Sequence, residues 1–158
     1  MTPKVRFKGF DDAWEQRKFS DVVEIGSGKD YKNLGLGDIP VYGTGGYMLS
    51  VDQSLSKDRD AIGIGRKGTI DKPFIIRAPF WTVDTLFYCI PKNKQNLQFT
   101  YCLFQNVDWK TYDESTGVPS LSKSTINNVT TKLPNLEEQQ KIGELFNKLD
   151  TTITLHQR

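Results

Sequence analysis

Short apolar runs separated by turn-forming residues fill the chain between residues 22 and 90. β-branched and aromatic residues dominate these runs, and such residues fit the half-buried surface of a pleated strand. The Gly, Pro, Asp and Asn residues between the runs are typical of turns. The pattern predicts a compact, mainly antiparallel β structure rather than alternating βαβ units. The predicted strands are Val22–Val23, Ile39–Tyr42, Ala61–Ile64, Phe74–Ile76, Phe80–Val83 and Leu86–Ile90.

Glycine-rich segments connect several of these predicted strands. Gly26–Gly37 and Gly43–Gly46 lie within the β region, and Ser115–Gly117 follows it. Glycines there can adopt positive φ or bring the backbone close to a ligand. Because long structured loops on a β scaffold commonly hold binding residues, we expect functional side chains in these connections.

Two short helices are predicted after the last of these strands. The run Leu97–Gln105 has apolar residues at helical spacing. A second helix spans residues 122–128, with Ser122 or Ser124 as its N-cap. A final strand over Val129–Leu133 follows it.

The last segment has the pattern of an amphipathic helix of about 20 residues. Asn135 is the predicted N-cap, and Glu138 three residues later resembles the second half of a capping box. The apolar positions form one stripe: Ile142, Leu145, Phe146, Leu149 and Ile153. This stripe suits either the domain's own core or a partner helix. We therefore divide the chain into a globular domain, residues 1–134, and a helix, residues 135–158.

A chain of 158 residues, 37% of them apolar, can build one core without disulfide or metal staples. The expected fold class is α+β: a β-rich globular domain with a few short helices and a long C-terminal amphipathic helix. The sequence has no stretch of about 18 apolar residues and no apolar block of a secretory signal, so we expect a cytoplasmic protein without a membrane span. Cys89 and Cys102 are expected to be buried thiols.

The distribution of charge says more than the net charge of +2. Residues 135–158 hold three cations and four acids, so the positive charge belongs to the rest of the chain. Within Gly63–Gly68, a match to G-x-G-x-x-G, Arg66 and Lys67 stand between glycines. A dinucleotide-binding motif needs a helix at this point, whereas Thr69–Pro73 has turn and strand chemistry. We interpret the motif as a loop that offers cations and backbone N–H groups to an anion or to the acceptor edge of guanine. The alternative is a solvated turn.

Further basic and aromatic residues occupy similar predicted loops. They are Lys29, Tyr31, Lys32, Tyr47, Lys57, Arg59 and Lys123. Such a mixture suits phosphate neutralisation and base contacts. Each residue taken alone is more typical of an ordinary surface position.

The sequence does not indicate a catalytic site. The single histidine, His156, is distant in sequence from any Ser or Cys nucleophile, and we expect it to be exposed. The chain has no P-loop, no nuclease carboxylate motif and no motif for adenine methyl transfer. We therefore predict a domain that binds rather than reacts, without a cofactor or metal.

Five segments occur in a characteristic order. Pro3–Phe10 and Trp14–Phe19 lie at the start, Gly65–Ile70 and Ser115–Ser122 in the middle, and Pro134–Gly143 at the start of the terminal helix. In this order they resemble the specificity subunit of type I restriction-modification enzymes. The similarity covers nearly the whole chain. It is most specific in the terminal segment, which is similar to the start of that family's central conserved helix.

The resemblance implies a target recognition domain that reads one half of a bipartite double-stranded DNA sequence through loops on a β-rich scaffold. In this family, modification subunits methylate DNA with S-adenosylmethionine, and the restriction subunit carries out ATP-driven translocation and cleavage. The specificity subunit itself is not catalytic. A full subunit has two recognition domains joined by two long antiparallel helices. Because this sequence has one domain and part of one helix, we expect either a fragment or a half-length subunit.

For such a domain we predict that five cations face DNA: Lys29, Lys32, Arg66, Lys67 and Lys123. Tyr31, Tyr47 and the Ser115–Ser122 loop, with Ser115 and Thr116, are expected near base edges or the DNA backbone. Without an intramolecular partner helix, the apolar stripe is expected to pair two copies antiparallel, which would make the target symmetric. The alternative interpretation is a module that docks a methyltransferase subunit through its helix and binds no DNA. Salt-dependent duplex binding separates these two interpretations.

Overall fold

Strands occupy most of the chain up to Pro91, and helices most of the remainder. The computed structural model describes residues 3–156, with side chains described as far as Ile153. The strands are β1 (Glu15–Lys18), β2 (Val23–Ser27), β3 (Leu36–Gly43), β4 (Gly46–Val51), β5 (Ala61–Gly65), β6 (Phe74–Ile76), β7 (Trp81–Thr82), β8 (Leu86–Pro91) and β9 (Thr130–Leu133). The helices are α1 (Phe19–Val22), α2 (Leu97–Gln105), α3 (Lys123–Asn128) and α4 (Leu136–His156), and a 3₁₀ turn spans Trp109–Tyr112. The predicted end of the terminal helix at residues 157–158 and the side chain of His156 lie outside the described residues.

The strands form three sheets. The central sheet has the order β2-β8-β5-β6 and is antiparallel throughout. A second sheet, β4-β3-β7, combines an antiparallel hairpin with one parallel pair, β3 with β7. β1 and β9 form a separate antiparallel pair. The predicted, mainly antiparallel topology is confirmed.

Both faces of the central sheet are buried because its side chains alternate between two cores. β5 is buried at every residue: Ile62 and Ile64 face the helices, whereas Ala61 faces the second sheet. Phe87 and Cys89 on β8 also face the helices. The architecture is therefore a layer of helices, a central sheet and a second sheet, in agreement with the predicted α+β class.

The predicted helices are found in the structure. α2 spans Leu97–Gln105 as predicted. Of the two candidate caps for α3, Ser122 is the one used, because its hydroxyl accepts a hydrogen bond from the N–H of Thr125 at 3.1 Å. The strand predicted after this helix is β9. Local sequence signals were sufficient here because capping and helical spacing act over a few residues.

Two local predictions are wrong, and one strand has no sequence signal. Val22 ends α1, and the strand begins one residue later at Val23 and continues to Ser27. Gly43–Gly46 is a tight turn between β3 and β4 rather than a long connection. β1 has four exposed residues without apolar alternation, so only its pairing with β9 makes it a strand.

Polar contacts fix the first turns of α4 to the body. Asn135 caps the helix as predicted, because its Oδ1 accepts a hydrogen bond from the N–H of Glu138 at 2.8 Å. The Glu138 side chain pairs with Arg6 through hydrogen bonds of 3.0 and 2.6 Å, instead of completing a capping box. The buried Gln139 donates to Oε1 of Gln95 at 2.7 Å. These contacts set the direction in which α4 leaves the domain.

The apolar stripe of α4 has a packed part and an open part. Ile142 packs against the helical core. Gly143 allows a close approach of α2, since a Cβ there would lie 2.1 Å from Oδ1 of Asn96. The remaining stripe residues are between 40% and 53% exposed: Leu145, Phe146, Leu149 and Ile153. None of the helices described is long and apolar enough to cross a membrane.

Both cysteines are free thiols. Cys89 is buried as expected, and its burial raises the pKa of the thiol. Cys102 on α2 is only half-buried, so the expectation of two buried thiols holds for Cys89 alone. Within residues 3–153, whose side chains are described, no three His, Cys, Asp or Glu residues are placed to hold a metal ion.

Candidate nucleic-acid interface

Five loops meet at one end of the central and second sheets. We refer to them as the loop cluster: Gly28–Lys29, Thr44–Gly45, Arg66–Thr69, Val83–Thr85 and Asp113–Ser122. Backbone hydrogen bonds fix them: the N–H of Lys29 donates to the carbonyl of Thr82 in β7 at 2.9 Å, and the N–H of Arg66 donates to the carbonyl of Thr85 in a neighbouring loop at 2.7 Å. The side chains of the cluster therefore start from fixed backbone positions.

The Arg66–Thr69 loop is attached to the Asp113–Ser122 loop. The carbonyl of Arg66 accepts a hydrogen bond from the N–H of Leu121 at 2.9 Å, and the N–H of Gly68 donates to the carbonyl of Pro119 at 2.9 Å. Gly68 has φ +92°, a conformation that favours glycine. No helix begins in the G-x-G-x-x-G motif, as the turn and strand chemistry of Thr69–Pro73 predicts.

Two further glycines are required by close approach of the backbone. A Cβ on Gly28 would lie 1.8 Å from the carbonyl oxygen of Val83. A Cβ on Gly65 would lie 1.8 Å from the carbonyl oxygen of Thr69 and 3.3 Å from Cγ2 of Thr44. Any side chain at either position would push neighbouring loops apart. The glycine-rich composition of these segments thus reflects the packing of the loop cluster.

An open cleft of about 390 Å³ lies between the two connected loops, and we refer to it as the cationic cleft. It is lined by Ser27, Arg66, Lys67, Phe87, Glu114, Ser120, Leu121, Ser122 and Lys123. Three of these residues are cations and one is an acid. The N–H groups of these loops and the Ser122 hydroxyl are bonded within the protein, so the three cations are what suits the cleft to an anionic ligand.

Two neighbouring carboxylates organise the Asp113–Ser122 loop. Oδ1 of Asp113 accepts hydrogen bonds from the N–H groups of Ser120 and Ser115, and these bonds lower the pKa of the Asp113 carboxyl. Oε1 of Glu114 accepts hydrogen bonds from the hydroxyls of Thr125 and Ser122, which lower the pKa of the Glu114 carboxyl. Both side chains are therefore negatively charged at neutral pH.

The structure brings four of the predicted DNA-facing cations close to one another. Arg66, Lys67 and Lys123 line the cationic cleft, and Lys29 lies in an adjacent loop of the cluster. Lys123 is the first residue of α3 rather than a loop residue, which corrects its predicted setting. All four side chains are exposed.

The predicted hydroxyl residues differ in their exposure. The hydroxyl of Ser115 donates to Asp113 and to the carbonyl of Val118, so it is engaged within its own loop. Thr116 is exposed. Ser120 and Ser122, which line the cleft, belong to the Ser115–Ser122 loop that is predicted to lie near DNA. Their role depends on the connection to Arg66, for which the sequence gives no signal.

The remaining predicted residues do not line the cationic cleft. Tyr31 is half-buried and packs against the core between the central and second sheets. Lys32 is exposed in a turn where its N–H donates to Oδ1 of Asp30 at 3.2 Å. Tyr47 lies in strand β4 rather than in a loop, and 62% of the residue is exposed. Its ring makes an edge contact with Tyr42 across the hairpin.

A second basic cleft, of about 720 Å³, lies at the other end of the central sheet. Arg17, Lys18 and Lys92 line it. The antiparallel pairing of β2 and β8 places Ser27 at the end with the loop cluster and Val23 at the opposite end. The sequence carries no local signal for this cleft, because its cations come from β1 and from the segment after β8, which become neighbours only in the folded chain.

The fold and the loop cluster together define an α+β domain with a long terminal helix and a cation-lined cleft at one end of its sheets. Residues 11–158 match the profile of the family described as the type I restriction modification DNA specificity domain. The chain therefore belongs to this family, and the resemblance seen in the sequence is confirmed.

Solved structures agree with this assignment at the level of the fold. The S subunit of a type I restriction-modification system from M. genitalium is 14% identical, with a TM-score of 0.77 over 96% of this chain and 42% of that subunit. The HsdS subunit from Thermoanaerobacter tengcongensis is 15% identical, with a TM-score of 0.64 over 97% of this chain and 40% of that subunit. The chain thus spans about two fifths of the length of these subunits. No curated protein matches the chain.

Proposed function

We propose that the chain recognises one half of a bipartite double-stranded DNA sequence. The observation that carries this proposal is the convergence of Arg66, Lys67 and Lys123 on one cleft with Ser120. Cations neutralise phosphates, while an arginine can hydrogen-bond two acceptors of a guanine at once. Membership in a DNA specificity family supplies the ligand class.

Fewer cations have protein partners in the cationic cleft than in the second basic cleft, which favours the cationic cleft as the DNA-binding site. At the second cleft, Arg17 pairs with Glu15, and Nζ of Lys92 donates to the carbonyl of Ser20 at 2.9 Å. Among the residues described, Arg66 and Lys67 form no salt bridge. Unpaired cations can exchange bound counterions for phosphates without first losing a protein partner.

The fixed backbone of the loop cluster also supports the proposal. Arg66 is hydrogen-bonded through both its N–H and its carbonyl, so the base of the side chain does not have to be ordered on binding. Ordering flexible loops reduces affinity, and a preorganised site avoids that cost. A rigid loop also distinguishes correct from incorrect base edges better than a flexible one does.

The globular domain and the terminal segment have separate roles in this function. Residues 1–134 read DNA, and the segment 135–158, which contains α4, is the spacer that sets the distance to the other half-site. Methylation and cleavage belong to modification and restriction subunits, with which this chain associates. The anchoring of α4 through Glu138 and Gln139 supports a fixed spacing, because the direction of the helix is set by buried contacts.

Duplex binding at several salt concentrations tests the proposal. A pool of random duplexes is enriched on the protein, and the affinities of enriched and random duplexes are measured by fluorescence anisotropy. We expect enrichment of a short common sequence and a linear fall of log affinity with log salt concentration. Binding to a methyltransferase subunit without any duplex binding would instead support a docking module. A single half-site gives weak affinity because the avidity of two linked domains is absent.

The open part of the α4 stripe supports self-association as part of this proposal. Leu145, Phe146 and Leu149 are each about half exposed on one side of the helix. Burial of apolar surface contributes about 25 cal/mol per Å², so antiparallel pairing of two such helices is favourable. Two paired copies would present two loop clusters to a symmetric target.

Leu149→Glu is expected to convert the paired form to a monomer. The change places a charge in the centre of the stripe and occurs twice in a symmetric pair, at a cost of about 2 kcal/mol or more for each copy. Light scattering coupled to size exclusion measures the mass. Asn147→Glu adds the same charge at an exposed position off the stripe and is expected to leave the mass unchanged. A wild-type chain that stays monomeric at high concentration would rule out this part of the proposal.

A further inference from the structure

Asp113 and Glu114 are acidic residues in a region that must approach phosphates. A negative charge near the cationic cleft opposes the binding of any DNA, whatever its sequence. Glu114 lines the cleft, and Asp113 precedes it in the same loop. Their charges weaken nonspecific binding to DNA. Their hydrogen bonds show what else these two acids do.

Each acid gathers three donors on a single oxygen. Oδ1 of Asp113 accepts hydrogen bonds of 3.0 Å from the N–H of Ser115, the hydroxyl of Ser115 and the N–H of Ser120. Oε1 of Glu114 accepts from the N–H and hydroxyl of Ser122 at 3.0 and 2.8 Å, and from the hydroxyl of Thr125 at 2.5 Å. Asp113 thereby closes the loop on itself, and Glu114 fastens its end to α3.

The closed loop is the part that holds the cations of the cleft. Ser120, whose N–H donates to Asp113, also forms an isolated antiparallel β-bridge with Lys67. Ser122, bonded to Glu114, is followed directly by Lys123. One residue therefore separates each acid from a cation that lines the cleft.

We propose that Asp113 and Glu114 are positioning residues that raise the ratio of sequence-specific to nonspecific DNA binding. Their hydrogen bonds hold the loop whose Leu121 N–H donates to the carbonyl of Arg66, and so keep Arg66 in the geometry that fits the correct sequence. Their charges simultaneously repel phosphates of DNA that lacks the compensating base contacts. This inference rests on the proposed function. It adds that the hydrogen bonds of the two acids act on sequence-specific binding, whereas their charges act on nonspecific binding.

Paired substitutions separate these two contributions. Asp113→Asn and Glu114→Gln remove the charge and keep an oxygen acceptor, whereas Asp113→Ala and Glu114→Ala remove both. The amide variants are expected to bind random duplexes about two- to fivefold more tightly than the wild type, as for the loss of one exposed charge interaction. The alanine variants are expected to lose about tenfold or more in affinity for the enriched duplex, because hydrogen bonds to a charged group are lost.

Asp58→Asn is the matched control, since Asp58 is an exposed acid outside the loop cluster. We expect this variant to bind both duplexes like the wild type. A merely structural role would lower thermal stability and reduce both affinities by the same factor, and that result would overturn the inference. Unchanged affinity ratios in all four variants, with normal binding by the wild type, would overturn it as well. Failure of the wild type to bind any duplex would contradict both the inference and the proposed function.

Discussion

Arg66→Ala is expected to weaken binding to the enriched duplex by about 10- to 100-fold and to change random-duplex binding much less. An arginine that contacts a base edge contributes about 1–3 kcal/mol of discrimination. Lys67→Ala is expected to weaken binding to both duplexes about equally and to reduce the slope of the salt dependence by about one, as for a phosphate contact. Anisotropy titrations with both duplexes at several salt concentrations measure these differences.

A charge-matched control distinguishes the cationic cleft from a general effect of positive charge. Lys132 is exposed on β9, opposite Gln16 of β1 and beside the second basic cleft. Lys132→Ala removes one positive charge there and is expected to leave both affinities and the salt slope unchanged. Equal losses for Lys132→Ala and Lys67→Ala would mean that the loop cluster is not the DNA-binding surface.

Trp109→Ala is expected to cost about 3–5 kcal/mol of folding free energy, a large share of the stability of about 5–15 kcal/mol typical for a domain. Trp109 is 1% exposed and packs against the rings of Phe19 and Phe104. Its Nε1 also donates to the carbonyl of Phe104 at 2.8 Å. Denaturant unfolding followed by circular dichroism measures the change.

Tyr112→Ala serves as the comparison for the Trp109 variant. Tyr112 contacts the ring of Trp109 but is 38% exposed, so its removal leaves a much smaller cavity. We expect a loss of about 1 kcal/mol. A Trp109→Ala variant as stable as Tyr112→Ala would mean that the helical layer does not depend on this core.

The sequence identified those elements whose signals are local. Ser122 and Asn135 are capping residues that act within one helical turn, and both caps are present. β1 could not be found because its four residues are exposed and polar, and its strand conformation comes from pairing with β9. The capping box predicted at Glu138 is not formed for the same reason. The Glu138 side chain pairs with Arg6, which is distant in the sequence, instead of making the local capping bond.

The candidate site divides in the same way. Arg66 and Lys67 were identified because their glycine-flanked spacing is a local feature of the sequence. Glu114 was not, since its place beside Arg66 depends on backbone hydrogen bonds between distant segments. Tyr31 was predicted to contact DNA because it lies among basic residues in a glycine-rich segment. In the structure it packs against the core between the central and second sheets.

Domain exchange in the intact complex tests the central claim most directly. Residues 1–134 are replaced by the matching region of a relative with a different target, the terminal helix is kept, and methylated positions are mapped across the genome of cells that carry the complex. The account predicts that the methylated half-site changes to that of the donor while the spacing between half-sites is retained. Methylation of the original positions after the exchange would contradict it.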